Sequence, residues 1–246
     1  MEIETTYGPA RVILEAPPVL TGTARPSFLL ALTHGAGGDV DAPDLTAARD
    51  AALRLGGAVA RVTQPYRVAG ARAPGSAVRQ DAAWVEVIAA LQAVTGDGPG
   101  GPPPLVQGGR SNGARVACRT AAATGADAVI ALAFPLHPPG RPDRSRAAEL
   151  RVPPGVKLLI VNGDRDPFGV PGRRRGARVV VLAGEAHALS RDPRAVGRAV
   201  AAWLPRALGL DPRRGPDLAT AGTGPPASTR LAAGPEHGQQ KAPFRG

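Results

Sequence analysis

The sequence predicts an α/β fold built on a mostly parallel sheet with helices on both of its faces. Short apolar runs alternate with longer runs of helical spacing along most of the chain. The short runs are apolar at consecutive positions, which is typical of strands buried on both faces of a parallel sheet. The chain has 246 residues, which is enough for one domain with a large core.

Seven short runs predict the strands. They are rich in β-branched or other apolar residues, and loop-forming residues close each of them. In chain order they lie at residues 10–14, 28–32, 58–62, from 105 to the serine motif described below, 129–133, 156–161 and 178–182.

Four helices are predicted between and after these strands. They cover residues 45–55, 77–94, a run that begins at 112, and 193–208. Asp44 precedes the first helix and Gly56 follows it. Asp192 is placed to cap the last helix, with Pro193 at its first position and Gly209 just past its end.

The second predicted helix is amphipathic. Val78, Ala82, Val85 and Ala89 recur at helical spacing and are expected to share its buried face. Trp84 lies near this face and is expected in the core, because a large aromatic side chain buries much apolar surface.

The alternation of strands and helices stops at Asp211. Of the last 36 residues 12 are glycine or proline, and little apolar surface is available there to offset the entropy of ordering the chain. The sequence therefore predicts one folded domain at residues 1–210 and a disordered tail at 211–246.

The net charge of +10 raises the question of nucleic-acid binding. Of the 30 basic residues only Lys157 and Lys241 are lysine, and an excess of Arg, Ala, Gly and Pro is what a GC-rich coding sequence produces. The sequence has no basic stripe interleaved with aromatic residues, no zinc-ligand spacing and no helix-turn-helix signal. Nucleic acid is therefore not predicted as a partner.

The beginning of the chain is acidic, and no apolar run approaches the roughly 18 residues of a membrane helix. We therefore predict a cytoplasmic protein with neither a signal peptide nor a membrane span. The single cysteine, Cys118, cannot form an internal disulfide and is expected to be an inert, packed thiol.

The residues that follow the fourth predicted strand read G-x-S-x-G, from Gly109 to Gly113. An apolar strand before the motif and an alanine-rich helix after it are the setting of a nucleophile elbow. Glycine is needed on both sides of Ser111, because a Cβ would collide with the neighbouring strand or helix. The motif predicts an exposed serine hydroxyl beside the N-terminus of a helix, which could hold an oxyanion.

A serine nucleophile needs a histidine base, and the base needs a carboxylate to orient it. His187 follows the last predicted strand, and two aspartates, Asp164 and Asp166, follow the strand before it. This gives the order Ser, Asp, His along the chain. Either aspartate could be the acid; Asp164 is expected in the turn, bonded to backbone N–H groups of the residues after it.

Four motifs in this order resemble those of the small, lidless α/β-hydrolases of the dienelactone-hydrolase-like kind. The narrower resemblance is to the domain shared by testis-expressed hydrolase-like proteins and the third subunit of the NSL acetyltransferase complex. The motifs are HGAGGD at residues 34–39, GRSNGAR at 109–115, NGDRDPFG at 162–169 and GEAH at 184–187. Dienelactone hydrolases proper carry cysteine where Ser111 stands, so their substrate does not transfer to this chain.

The resemblance implies Ser111 as nucleophile, His187 as base and Asp166 as the orienting acid. It also implies the backbone N–H groups of Ala36 and Asn112 as oxyanion donors.

Four further residues are expected to line the substrate site: His34, Gly35, Arg110 and His137. Of these, His34 is expected mainly to shape the oxyanion loop, and His137 to form a pocket wall.

The sequence therefore predicts a serine hydrolase that cleaves a small ester or thioester through an acyl-enzyme. No cofactor and no metal are predicted, and the expected partner is a small-molecule substrate, with a homodimer left open. Only about two dozen residues separate the fifth and sixth strands, so a large lid is not expected and short acyl chains should be preferred. The alternative is a binding or scaffold module that keeps the hydrolase fold without useful activity, as some relatives act in complexes.

Overall fold

The computed structural model of the chain describes residues 1–17, 25–96 and 101–210. The tail predicted at 211–246 lies outside these residues. The strands are β1 (Glu2–Ile3), β2 (Ala10–Glu15), β3 (Leu29–Thr33), β4 (Ala58–Thr63), β5 (Leu105–Arg110), β6 (Ala128–Leu132), β7 (Lys157–Gly163) and β8 (Ala177–Leu182). The helices are α1 (Pro43–Arg54), α2 (Pro65–Val68), α3 (Ala77–Gly96), α4 (Asn112–Thr124) and α5 (Pro193–Leu208), with a 3-10 turn at Ala147–Leu150.

The strands form one sheet in the order β1-β2-β4-β3-β5-β6-β7-β8. β2 runs antiparallel to β1 and to β4, and the strands from β4 to β8 in this order are parallel. The predicted α/β fold with a mostly parallel sheet is therefore confirmed. The two-residue β1 and the four-residue α2 were not predicted, because elements this short carry almost no periodic pattern.

Burial follows the position of each strand in the sheet. β3 and β6 are buried at every residue, as the uninterrupted apolar runs predict. The expectation that the strands are buried on both faces fails near the two edges of the sheet, where Ile13 of β2 is 41% exposed and Val181 of β8 is 46% exposed. β8 is an edge strand, and β2 is flanked on its outer side only by the short β1.

Helices cover both faces of the sheet and build two separate apolar clusters. Leu45 of α1 and Val200 of α5 belong to one cluster. Trp84 of α3 and Val116 of α4 belong to the other, with Trp84 only 2% exposed. The arrangement confirms the prediction of helices on both faces and of a buried Trp84.

The buried face of α3 differs from the one predicted. Val78 is 74% exposed and Ala89 is also exposed, whereas Trp84, Val87 and Ile88 pack into the core. The helix is rich in alanine, which fits either environment, so its orientation is set by its largest apolar side chains.

The parallel register brings the ends of several strands to one edge of the sheet. Thr33, the last residue of β3, lies beside Gly109 of β5. The chain leaves β3, β5 and β7 at this edge, so the loops that begin after them meet there.

The connection between β6 and β7 contains the short 3-10 turn and no longer helix, so the described residues include no large lid. Within the described ranges, no helix combines the length and the apolar character needed to cross a membrane.

Candidate active site

Ser111 occupies a tight turn between β5 and α4. Its backbone has φ 52° and ψ −113°, a conformation that non-glycine residues rarely adopt and that stores strain. A Cβ added at Gly109 would lie 2.6 Å from the carbonyl oxygen of Thr33, and one at Gly113 would lie 2.7 Å from that of His34. Backbone atoms therefore occupy the space that a side chain would need, as the motif predicts.

The side chains of Ser111, His187 and Asp166 form a continuous hydrogen-bonded chain. His187 Nε2 lies 2.9 Å from Ser111 Oγ, and His187 Nδ1 lies 2.8 Å from Asp166 Oδ2. Because a carboxylate can only accept, Nδ1 carries the proton and Nε2 is free to accept one from the serine. The structure thus brings together the three residues that the sequence selects as nucleophile, base and acid.

The Asp166 carboxylate is fully buried and held by three donors. Besides the imidazole, it accepts from the backbone N–H of Phe168 at 2.9 Å and from Nδ2 of Asn162 at 3.2 Å. Asn162 is itself buried in β7, and its side chain also bonds the backbone of Phe134. Sequence reasoning gave Asn162 no role, although an amide at the end of an apolar strand is a signal of a buried polar contact.

Asp164 has a different partner. Its Oδ1 accepts from the backbone N–H of Gly184 at 2.7 Å, which ties the end of β7 to the loop after β8. The expectation that Asp164 bonds residues following it in the turn was wrong, because it is Asp166 that makes this contact, to Phe168. Of the two aspartates, Asp166 is the one that reaches His187.

The loop that carries His187 is fixed from several sides. Glu185 is buried, and its carboxylate accepts from the backbone N–H groups of Arg191 and Asp192. The Phe168 ring packs against the imidazole with 4.1 Å between ring centroids. The position of the imidazole therefore depends on residues outside the hydrogen-bonded chain itself.

Arg110, which precedes the serine, links three parts of the site. Its Nε donates to Asp44 Oδ2 at 3.0 Å, and its terminal nitrogen donates to the backbone carbonyl of His187 at 2.9 Å. Asp44 has no solvent exposure, and burial raises the pKa of its carboxyl while the Arg110 guanidinium opposes that rise. Because the guanidinium is already engaged, a contact between Arg110 and substrate stays a prediction.

Asp44 stands inside the first turn of α1, whereas the sequence places it ahead of the helix. Ala42 is the residue that precedes the helix, and Pro43 begins it. Nothing in the local pattern marks Asp44 as the buried partner of a residue 66 positions away.

His34 lies at the end of β3 and is completely buried. Its Nε2 accepts from the backbone N–H of Gln64 at 3.0 Å, so its Nδ1 is the nitrogen that donates to the carbonyl of Gly35 at 2.8 Å. Burial lowers the pKa of the ring, which favours this neutral form. His34 has no exposed surface and both of its ring nitrogens are bonded, so it holds the loop after β3 in place. A role for His34 in the substrate site stays a prediction.

The glycine loop after β3 lies directly against the serine. A Cβ added at Gly35 would be 3.4 Å from Ser111 Cβ. The carbonyl of Ala36 accepts from the hydroxyl of Tyr66 at 3.0 Å, and the side chain of Asn112 donates to Gln80 at 2.5 Å. In the described part of the chain, the backbone N–H groups of Ala36 and Asn112 have no acceptor within the molecule.

His137 packs on the loop that follows Asp166. Its Nδ1 lies 2.8 Å from the carbonyl of Pro138, and a Cβ added at Gly169 would come 2.7 Å from its Nε2. This position is next to Phe168, which contacts the base. A role for His137 as a wall of the substrate pocket stays a prediction.

Cys118 is buried in α4, as predicted, and burial raises the pKa of its thiol to about 12. Among the described residues, no group of three or more His, Cys, Asp or Glu side chains is placed to hold a metal ion.

Comparison with known proteins identifies the domain family of the chain. The profile of a family described as an alpha/beta hydrolase domain matches residues 26–182, which is more than half of the chain. No curated protein sequence matches.

Several solved structures share the fold. A serine hydrolase without a lid from Xanthomonas campestris is 20% identical and has a TM-score of 0.69, with 86% of this chain and 95% of that chain covered. Est1E from Butyrivibrio proteoclasticus, solved with ferulic acid bound, is 15% identical with a TM-score of 0.67, covering 85% of this chain and 99% of that one.

An α/β serine hydrolase homologue from Coxiella burnetii is 18% identical and has a TM-score of 0.66, with 83% of this chain and 96% of that chain covered. At these identities the likeness concerns the fold alone. Together with the family match, it shows that the chain belongs to the α/β hydrolase domain family, as a small member without a large lid.

Proposed function

We propose that this protein is a serine hydrolase that cleaves a small ester or thioester through an acyl-enzyme intermediate. The observation that carries the proposal is the hydrogen-bonded chain from Ser111 through His187 to the buried Asp166. A serine, a histidine and an aspartate in this order of contact are the parts of a nucleophilic hydrolase.

In the first half of the reaction, Ser111 Oγ attacks the substrate carbonyl carbon while His187 Nε2 takes the hydroxyl proton. The tetrahedral intermediate collapses, the bond to the leaving oxygen or sulfur breaks, and His187 returns the proton to that atom. In the second half, a water molecule gives a proton to His187 and attacks the acyl-serine, which releases the acid and restores the serine.

The negative charge of the tetrahedral oxygen needs donors that are already in place. Asn112 follows Ser111 in the chain, and Ala36 follows Gly35, which lies against Ser111. The backbone N–H groups of Ala36 and Asn112 have no acceptor within the described part of the molecule, so they can bond this oxygen. Asn112 also begins α4, whose positive dipole end favours a negative charge. His34 holds the loop of Ala36 and would act as a positioning residue.

A fluorophosphonate probe tests the proposal against the alternative of an inactive scaffold. We expect covalent labelling of the wild-type protein at Ser111 and none of Ser111→Ala, with ester turnover reduced by about three or more orders of magnitude in that variant. Folded wild-type protein that is neither labelled nor active on acetyl and butyryl esters and thioesters would favour the scaffold. Undiminished turnover by Ser111→Ala would refute the assignment of the nucleophile.

A further inference from the structure

A pocket of about 340 Å³ lies beside the oxyanion loop, between α2 and the beginning of α3. Three of its lining residues contact that loop or its neighbours. The backbone N–H of Gln64 bonds His34, the hydroxyl of Tyr66 bonds the carbonyl of Ala36, and Gln80 accepts from Asn112. Gln64, Tyr66 and Gln80 therefore connect the pocket to the residues next to Ser111.

Its outer wall comes from the beginning of the chain. β2 runs antiparallel to β4, so that Arg11 lies beside Thr63 at the end of β4. Tyr7 precedes β2 and thus reaches the same edge of the sheet, where it lines the pocket. The pocket and the proposed catalytic residues consequently share one edge of the molecule.

The lining is mostly apolar and has flat faces. Both tyrosines of the chain, Tyr7 and Tyr66, contribute to it, together with the rings of Pro65 and Pro74. Ala83 at the buried side is small, which leaves room for a ligand. Aromatic and proline rings favour contact with a planar apolar group.

Arg79 supplies the charge of the pocket. Its guanidinium lies 5.8 Å from the centre of the Tyr7 ring, and no carboxylate of the described residues pairs with it. Among the described residues that line the pocket none is acidic. An anionic group on the ligand would therefore meet a cation that no carboxylate of the described residues already pairs with.

We infer that this pocket binds the acyl group of the substrate. This acyl group would be small, planar and apolar, with a carboxylate at the end far from the ester bond. The inference rests on the proposed function, because acyl transfer to Ser111 places the acyl group next to the oxyanion donors. The volume lies at the small end of the range for ligand pockets, which fits a single ring in place of a long chain.

Kinetics with one leaving group test the inference. The substrates are 4-nitrophenyl 4-carboxybenzoate and its uncharged analogue, 4-nitrophenyl 4-acetylbenzoate, with 4-nitrophenyl acetate as the reference. We expect Arg79→Gln to lower the kcat/KM ratio of the charged to the uncharged benzoate roughly tenfold, since a hydrogen bond to a charged group is lost. Arg72→Gln, at an exposed arginine in the loop before α3 and outside the lining, is the matched control and should leave the ratio unchanged.

A second pair of variants tests whether the acyl group binds in this pocket. Ala69 is exposed at its rim, so Ala69→Phe should fill the pocket and lower the kcat/KM ratio of either benzoate to acetate at least tenfold. Ala71→Phe, exposed two positions away and outside the lining, should leave this ratio unchanged. If Ala69→Phe and Arg79→Gln leave both ratios unchanged while acetate is still hydrolysed, the pocket inference is refuted and the proposed function stands.

Binding can be followed without turnover. Incorporation of 3-fluorotyrosine gives two fluorine signals, one each from Tyr7 and Tyr66. We expect 4-carbamoylbenzoate, an amide analogue of the acyl group, to shift both signals at lower concentration than 4-acetylbenzamide does, and Arg79→Gln to remove the difference. Absence of shifts from either compound would overturn the inference even if the protein hydrolyses no ester.

Discussion

Two carboxylates near the end of β7 bind different partners. Asp166 bonds the imidazole of His187, whereas Asp164 bonds the backbone of Gly184. Only the first of these contacts can influence the protonation and orientation of the proposed base.

Replacement of the two aspartates by asparagine should therefore have different effects. Asp166→Asn should lower turnover by about four orders of magnitude, because the amide no longer requires the Nδ1–H tautomer. Asp164→Asn should weaken one backbone contact, and so lower stability with a much smaller effect on rate. Turnover of both variants, with circular dichroism to confirm folding, checks this. A larger rate loss in Asp164→Asn would exchange the two roles.

The ion pair between Arg110 and Asp44 should contribute to stability, because the Asp44 carboxylate has no exposed surface. Removal of the cation in Arg110→Met should cost roughly 3–5 kcal/mol, as it leaves a buried carboxylate unpaired. Burial already raises the Asp44 pKa, and loss of Arg110 should raise it further. A carboxyl with a higher pKa in the folded than in the unfolded state binds more protons when folded, so stability falls as pH rises above about 4.

Urea unfolding at about pH 5 and about pH 8 tests whether stability falls as the pH rises. Relative to wild type, Arg110→Met should lose more stability at the higher pH. The double variant Arg110→Met/Asp44→Asn is the control, since it lacks the titrating carboxyl and should not show the additional pH dependence. An equal pH dependence in the single and double variants would show that Asp44 is not the group responsible.

Among the elements, the contact between β5, β3 and α4 depends on missing side chains. A Cβ at Gly113 would come within 2.7 Å of two backbone carbonyl oxygens, those of His34 and Thr33, which cannot rotate away. The first turn of α4 can thus approach β3 only because residue 113 is glycine.

Gly113→Ala should therefore displace the elbow. We expect a destabilisation of roughly 1–3 kcal/mol, as for other overpacked sites, together with loss of esterase activity. Gly172→Ala is the control, because a Cβ there meets nothing within 4 Å. Thermal unfolding and ester turnover of both variants decide the point; a fully active Gly113→Ala protein would contradict the packing argument.

The elements also differ in how far the sequence predicts them. β3 and β6 are predictable because both of their faces are buried and every residue except Thr33 is apolar. The buried face of α3 is not predictable, because its many alanines allow several orientations of the helix to bury similar amounts of apolar surface. The order Ser111, Asp166, His187 is visible in the motifs, whereas the pairing of Arg110 with Asp44 depends on distant segments that no local pattern connects.

On the scale of the whole molecule, the edge of the sheet where the chain leaves β3, β5 and β7 limits the size of the acyl group that can be bound. The connection from β6 to β7 contains one 3-10 turn, Ala147–Leu150, and no helix that could cover the site. A long acyl chain would therefore remain largely in water and gain little binding energy.

We expect acetyl and butyryl esters to be hydrolysed faster than a dodecanoyl ester of the same alcohol. The measurement is kcat/KM across the series below the concentration at which the long ester forms micelles. Faster hydrolysis of the dodecanoyl ester would show that an acyl tunnel exists after all.

The distribution of the proposed catalytic residues along the chain also affects how the molecule folds. Ser111 and His187 are 76 residues apart, and β6, β7 and β8 lie between them in sequence. Closing a loop of this length costs entropy that only the complete set of parallel strand pairings can offset. Recovery of activity after dilution from denaturant should then coincide with the slowest refolding phase, while helical signal returns earlier.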